Sequence, residues 1–454
     1  MAGQIVVSSI KTDSDNSISF LANTGATIFS ANLASGLSAS SFGNNTITSD
    51  KIVSVANTKI SGNIVSSQIT SVANTQLTGT ITNSQLGTGA VSNTQIASGA
   101  VEQYFADTGF EAQFRNRIIN GDMRIAQRGT GAVTANDSYP VDRMNIGNST
   151  DGAFSAIQDS DVPAGFNKSI KFTITTADAS VTGTQSLFLV HPIEGFNVAD
   201  LNWGTANAKT VTLSFWVRSS VTGTFSGSLV NNALDRSYPF TYSISVADTW
   251  EYKTVTVAGD TTGTWTTDNS TGIRLYFSLG TGATRLGTAN TWGAARYHGA
   301  TGETALVNTI NATWYITGVQ LEVGSVATPF ERRPFGMELA LCQRYYAKSY
   351  EIGTAPGTDT QTGLIAMRNW DTSSRNDIDI PIIWPVNMRA VPTFTAYSKS
   401  GSSGYISEGV DGSFTDKSFN GSYNSSSKGI YAIATGGIGS LAFATLHYTA
   451  SAEL

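Results

Sequence analysis

Apolar positions in this 454-residue chain follow three successive patterns, and each predicts a different architecture. Between Ile47 and Ile96 they come in pairs five residues apart: Ile47/Ile52, Val55/Ile60, Ile64/Ile69, Val72/Leu77, Ile81/Leu86 and Val91/Ile96. Successive pairs start 8, 9, 8, 9 and 10 residues apart, so the full period is 17, and SVANTKI at Ser54 returns as SVANTQL at Ser71. Two aliphatic residues in every eight or nine do not close a core within one chain, whereas rungs stacked from several chains around a shared axis do. The pattern predicts an intertwined β shaft over residues 47–100 and a homotrimer or another cyclic oligomer. At about 3.3 Å per residue the shaft spans at most roughly 180 Å.

From Ile118 onward strict alternation replaces the paired pattern. In VTLSFWVR, Val211, Leu213, Phe215 and Val217 share one face and Thr212, Ser214, Trp216 and Arg218 the other. SIKFTIT alternates through Ile170, Phe172 and Ile174, and GIRLYFSL through Ile273, Leu275, Phe277 and Leu279. WYITGVQLEV alternates through Tyr315, Thr317, Val319, Leu321 and Val323. Turn-rich clusters at residues 222–224, 260–264 and 280–283 separate the runs. Half-buried strands of this kind pack as two antiparallel sheets, so residues 118–335 are expected to form a β-sandwich of jelly-roll type.

FGMELALCQRYY (residues 335–346) predicts a helix hinging to a small β domain over 336–454. Its strands are expected around 363–368, 378–383, 393–397, 429–434 and 441–448. Residues 1–46 carry only short apolar runs and are read as an N-terminal attachment segment. Residues 101–117 are read as a connector of one or two helical turns. The fold class is therefore all-β.

Composition narrows the function. Charged residues are 13% of the chain, about half the usual fraction of roughly 25%, and the net charge is −6 with no Lys/Arg run. That argues against nucleic acid, whose binding leans on clustered cations. The single cysteine, Cys342, rules out an intrachain disulfide framework, and the apolar helix stretch around it suggests packing. Nothing resembles a signal peptide or approaches 18 consecutive apolar residues, so the expectation is cytoplasmic synthesis without membrane insertion.

Several motifs then carry a family resemblance. IINGDMRIAQRGT (118–130) followed by YPVDRM (139–144) resembles the opening of a domain in tailed-phage and prophage fibre-like proteins. LSFWVRSS (213–220), TWEYKTVTVAGDTTGTW (249–265) and ITGVQLEVGSVATPFERRPFGMELALCQRYY (316–346) continue it in order. WPVNMRAVPTF (384–394) resembles a segment of their C-terminal domains, with Asn387 where a proline is usual. The resemblance implies a carbohydrate-binding-module-like jelly roll in a phage tail fibre. It implies a virion protein assembled in the host cytoplasm, joined to tail or baseplate proteins through its N-terminus and binding host surface glycan. The other readings are a depolymerase tailspike and a structural collar or baseplate adaptor.

Catalytic, cofactor and metal sites are not expected. His191, His298 and His447 lie far apart, and no nucleophile or phosphate-loop motif occurs. Asp13/Asp15, Asp159/Asp161 and Asp377/Asp379 are paired acids that fit either a Ca²⁺ site or solvated turns. Glycosidase chemistry would need two carboxylates across a groove, and the acids are too scattered to support it. Recognition is expected in residues 397–427, where Ser, Gly, Tyr and Asn make up 21 of 31 positions, the composition of antibody recognition loops. Its anchors are Tyr397, Tyr405, Phe414, Phe419 and Tyr423. In the sandwich, Trp265 with Asp268 nearby is a further glycan-binding candidate, since sugar CH faces pack on rings while hydroxyls pair with carboxylates. Trp250 and Trp292 also sit near turns, and Trp216 points away from the apolar face of its strand.

Overall fold

The computed structural model describes Ser17–Leu21, Thr27–Asn32 and residues 114–454 except Asp379, Asp411 and Asn424. The repeat at 47–100 and connector residues 101–113 lie outside the described residues. The chain divides into two compact units, Met1–Ala97 and Ser98–Leu454. In the first, β1 (Ser17–Leu21) and β2 (Thr27–Asn32) pair antiparallel.

The second unit begins with β3 (Ser138–Val141), β4 (Met144–Asn148), β5 (Ala153–Asp159), β6 (Ser169–Thr176), β7 (Ser186–Glu194) and β8 (Val211–Ser219). It continues through β9 (Gly223–Asn231), β10 (Ser237–Ile244), β11 (Glu251–Val257), β12 (Thr271–Thr281), the two-residue β13 (Leu286–Gly287) and β14 (Gly299–Ala300), and β15 (Thr313–Val323). Two antiparallel sheets result, one ordered β10-β9-β12-β7-β4-β3 and the other β11-β8-β15-β6-β5. The inward faces of the alternating strands meet as one core. At its centre Trp314 packs edge-on to Phe172 at 5.9 Å and tilted against Phe277 at 6.0 Å, and Phe277 meets Phe215 at 5.1 Å. Each fully buried ring of this kind contributes roughly 1.5–3 kcal/mol.

Strand β15 departs from the expected alternation. Trp314 and Ile316 face the core, and so do Val319 and Leu321. The pairing with β8 slips between Thr317 and Gln320, around Gly318 at φ 64°. The bulge inserts one residue and reverses which side chains point inward. Tyr315, expected on the Val319 face, lies outside against Trp250 at 6.0 Å. A Cβ at Gly318 would lie 2.7 Å from the Phe166 ring, so glycine is required there both sterically and by its backbone. The described end of the connector is also not helical. Residues 114–117 run along β15, with Arg117 N donating to Leu321 O at 2.8 Å and the Asn116 side chain bonding the backbones of Val319 and Leu321.

Helix α1 (Phe335–Gln343) forms where expected, and Cys342 is fully buried in it beside Ile119, Ile125 and Tyr345. The remaining strands are β16 (Tyr346–Lys348), β17 (Ile365–Arg368), β18 (Arg375–Ile378), β19 (Ile382–Ile383) and β20 (Thr393–Tyr397). They are followed by β21 (Tyr405–Val410), β22 (Ser413–Tyr423), β23 (Gly429–Ile430), β24 (Ala432–Ile438) and β25 (Phe443–Ser451). Strand β25 is the spine of this domain. β16 and then β17 pair along one edge of it, and β20 and then β21 along the other. The stretch 397–427, composed like a recognition loop, is therefore mostly sheet: β21 and β22 pair with each other, and each pairs onward.

The sandwich and the last domain are locked together by buried charge. Arg143, 1% exposed, donates to the Glu453 carboxylate and to Pro192 O, and stacks on Tyr345 at 3.6 Å. Arg128 reaches the same carboxylate at 2.9 Å and lies 3.7 Å over Tyr346. Arg344 grips the buried Glu194 through two nitrogens at 2.8 and 2.6 Å, and Tyr345 Oη donates to Glu194 at 2.6 Å. Arg389 clamps the carbonyls of Ala452, Glu453 and Asn269. Breaking a buried pair from one side leaves the other charge uncompensated. Glu453→Ala is therefore expected to cost about 3–5 kcal/mol in denaturant unfolding, by stranding the buried Arg143.

Candidate functional site

A line of side chains crosses the outer face of the last domain. Arg368 on β17 pairs with Phe443 on β25, Phe443 with Gly409 on β21, and Gly409 with Phe414 on β22. Directly opposed residues share a face, so these four positions form one row. Gly409 has no side chain of its own, and a Cβ there would touch the Phe414 ring at 3.2 Å and Phe443 at 3.5 Å. The two phenylalanines therefore cover the glycine between them. Phe443 is 44% exposed and Phe414 37% exposed. Just past β17, Trp370 is 73% exposed, with the Arg368 guanidinium 4.8 Å over its ring and 5.3 Å from that of Phe443. At the other end Lys399 Nζ lies 5.8 Å over Phe414 and 2.8 Å from Asp359. The row offers three exposed rings, two cations and a carboxylate on the sheet and the turns beside it.

The anchors expected from the sequence divide between the two faces of this sheet. Tyr405, 43% exposed, and Phe414 share the outer face. Tyr397 is also on that face but half-buried, its ring 6.1 Å from Tyr350. Phe419 turns inward onto Phe394 at 5.5 Å and packs, half-buried, against the core. The side chain of Tyr423 lies outside the described residues. Nearby, Asp416 accepts hydroxyl bonds from Ser398, Ser400 and Ser407, so the serine-rich turn folds around one carboxylate. Burial pushes the Asp416 carboxyl up, and the serine bonds outweigh it and hold it below its ordinary value. Trp370, Arg368 and Phe443 were not legible as a site. The alternation of LAFATLHY puts Phe443 on the polar face of its strand, which is a signal, but the cross-strand register that assembles the row is tertiary.

In the sandwich, Trp265 is half-buried in an edge-packed trio with Trp203 at 4.7 Å and Trp292 at 5.4 Å. The indole of Trp265 donates to Asp260 Oδ2 and Thr262 O, that of Trp203 to Lys209 O, and that of Trp292 to Ala258 O. A pocket of about 150 Å³ lies beside the trio, lined by Leu201, Asn202, Trp203, Trp265 and Thr266 among others. Asp268 is exposed and does not line that pocket. Its carboxylate accepts the amide and hydroxyl of Ser270 within its own turn, bonds that hold the carboxyl below its ordinary value. The structure thus gives Trp265 a pocket and does not bring Asp268 to it. On the outer face of the five-stranded sheet Trp216 packs on Tyr252 at 5.3 Å, and Trp250 donates to Asp161 at 3.0 Å.

Among the described residues no three His, Cys, Asp or Glu side chains gather as a metal site. Asp159 caps the amide of Asp161, and Asp161 pairs with Arg218. The side chain of Asp377, Asp379, and the pair Asp13/Asp15 lie outside the described residues. His447 stacks on Tyr350 at 3.9 Å, and its ring nitrogens are engaged by Ser349 and Thr360. Burial pushes the Cys342 thiol well above its ordinary value. Among the described residues no helix is long and apolar enough to cross a membrane. Glu303 has a carboxyl shifted toward a general acid's range, pushed up to about 7 by burial. Its partners are the hydroxyls of Ser226 and Ser278 rather than a second carboxylate.

No protein-family model matches this sequence, and no curated protein matches it. Among solved structures, similarity in fold is found to a putative sugar binding protein from Bacteroides thetaiotaomicron (13% identity, 46% of this chain and 100% of that one, TM-score 0.29). It is found to the family 11 carbohydrate-binding module of a Clostridium thermocellum cellulase (12% identity, 44% and 99%, TM-score 0.23). It is also found to the enzymatically active domain of tailspike protein 4 of bacteriophage CBA120 (11% identity, TM-score 0.26). That match covers 46% of this chain and spans 22% of the tailspike chain's length.

The Glu303 carboxyl gives a pH test of the fold around it. Its ordinary value is 4.5 and its folded value about 7, so the protonated form favours the folded state. That stability is fully present below pH 4.5 and is lost as the pH rises through 7. Glu303→Gln is expected to gain on the order of 2 kcal/mol over the wild type at pH 8 and nothing at pH 4, read by urea unfolding at both values.

Proposed function

We propose that this chain is a tailed-bacteriophage tail fibre that holds host surface glycan, lipopolysaccharide or similar, without cleaving it. In this reading residues 1–46 join tail or baseplate proteins, and 47–100 wind as a trimeric shaft. The jelly-roll sandwich spaces the fibre or binds glycan itself, and the last domain meets the cell. The protein resides on the virion after assembly in the host cytoplasm and uses no cofactor. The observation that carries the binding role is the exposed row Trp370, Arg368, Phe443 and Phe414, with Lys399 and Asp359 at its end. Pyranose CH faces pack on such rings, and hydroxyls pair with the flanking charges. The phage context rests on the motif resemblance and the 17-residue repeat. Each tip need bind only weakly, because three tips per fibre multiply retention through effective concentration.

The depolymerase reading has one supporting observation, the Glu303 carboxyl pushed up to about 7, but bond cleavage by the two-carboxylate route needs a second acid across the scissile bond. Binding and cleavage separate on incubation with host polysaccharide, where the proposed fibre leaves chain length unchanged and shortened chains overturn it. Mass measurement of the purified protein is expected to give a trimer, and a monodisperse monomer overturns the fibre reading. Trp370→Ala and Phe443→Ala are each expected to weaken adsorption to host cells about tenfold with unchanged thermal unfolding, since both rings are exposed. Excising 397–427 is not an equivalent test, because it removes β21 and β22 from the sheet.

A further inference from the structure

On the outer face of the six-stranded sheet three arginines gather without a carboxylate among them. Arg274 lies on β12, two residues from Tyr276, and its Nη1 reaches the carbonyl and side-chain oxygens of Asn232 at 3.4 and 3.3 Å. Arg285 and Arg296 come from the long connection between β12 and β15. Arg285 Nη1 contacts Arg296 O at 3.5 Å, and the Arg285 carbonyl accepts the amide of His298 at 2.8 Å. His298 in turn stacks on Tyr276 at 4.7 Å and 12°, which anchors the loop that carries both arginines over the middle of β12. All three arginines are half-exposed.

The absence of counter-charge is local. Arg117 pairs with Asp200, Arg218 with Asp161, Arg236 with Asp260 and Arg344 with Glu194. No described carboxylate lies within 4.0 Å of Arg274, Arg285 or Arg296. The acid of the adjacent β9–β10 turn, Asp235, is bonded by Asn231. Arg296 Nε and His298 Nε2 are buried with no partner. Burial, then Arg296 and Arg285, hold His298 down at about 3, so it adds no charge at neutral pH. In a chain of net charge −6 with few charged residues, three uncompensated guanidinium groups in one place are a local electrostatic feature.

We infer that this face binds an anionic glycan chain, its carboxylate or phosphate groups held by Arg274, Arg285 and Arg296. The inference rests on the glycan-binding reading above and adds the charge class of the sugar. Guanidinium forks match the planar geometry of carboxylate and phosphate and hold both in two-point contacts. Partly exposed charges of this kind are screened by salt, so the attraction is salt-dependent.

The test uses the full-length protein with three probes: polygalacturonate, its neutral methyl ester, and poly(glycerol phosphate). The wild type is expected to bind at least one anionic polymer tenfold or more tightly than the methyl ester at low salt, with the preference shrinking in 0.5 M NaCl. Which anionic polymer is preferred identifies carboxylate or phosphate as the recognised group. R285Q and R296Q, on the loop, are each expected to lose about threefold on the anionic probe, and the triple variant with R274Q to lose the preference altogether. Equal binding of charged and neutral polymers overturns the inference, and so does a preference that is undiminished in R285Q and R296Q and survives in the triple variant with normal thermal unfolding. Host adsorption abolished by Trp370→Ala but untouched by the arginine variants would leave the parent reading standing and this one fallen. The reverse pattern would locate recognition at the arginines and remove it from the aromatic row.

Discussion

The carboxylate of Glu453 is the constraint on which the described unit depends. It sits one residue from the end of the sequence, yet it neutralises Arg143, which is buried in the sandwich, and Arg128 beside it. A buried guanidinium without its partner would be strongly destabilising. The sandwich is therefore completed by Glu453, two residues past β25, and β25 is itself the spine of the last domain. Glu194 repeats the logic from the other side: an acid of the sandwich strand β7 held by Arg344 and Tyr345 just after α1. The two domains share ion pairs and fall within one compact unit, Ser98–Leu454.

This explains where the motif residues sit. Asn120 of IINGDMRIAQRGT receives its amide partner from Glu338 of α1 and bonds Ile125 and Asp142. Gln127 donates to Asp142 of YPVDRM and to Tyr346 O. Arg333, Glu338, Arg344 and Tyr345 all come from the segment ending in QRYY. Arg389, from WPVNMRAVPTF, holds the C-terminal carbonyls. Asn387, the departure from the usual proline, sits in a turn whose carbonyl accepts from Arg344 at 3.3 Å. The recognisable motifs thus build the junction, while the exposed row uses residues outside them or at their margins.

A junction tied by buried ion pairs would suit the surface binding proposed above. Arg368, Phe443 and Phe414 of the aromatic row and Arg274 of the arginine cluster lie on sheet faces, where strand pairing fixes the spacing of side chains better than a loop would. The sparse charge of the chain sharpens both features, because most arginines of the sandwich are neutralised in place. Rings flanked by Arg368 and Lys399 suit sugar faces and hydroxyls, and the Arg274 cluster suits anionic substituents.

The sequence by itself determined that two alternating-strand regions would become sheets. Period-two runs such as VTLSFWVR leave no other face to bury, and residues 211–219, 169–176 and 271–281 form strands as read. Helix α1 was legible from a run without alternation. Tyr405 and Phe414 were legible as surface aromatics by composition. The phase of β15 was not, because Gly318 inserts a bulge that reverses the alternation midway, and nothing in a period-two count reveals a bulge. Phe419 was misplaced for a related reason: opposite faces of β22 carry equally aromatic residues, and only the fold says which face is core. The Arg368 and Trp370 pair, Phe414 and Phe443 lie far apart along the chain and meet only through the register of β17, β25, β21 and β22. The arginine cluster likewise depends on one loop folding back over β12. Local pattern decides which segments become strands; the adjacency of side chains across strands is set by pairing, and pairing is a property of the whole chain.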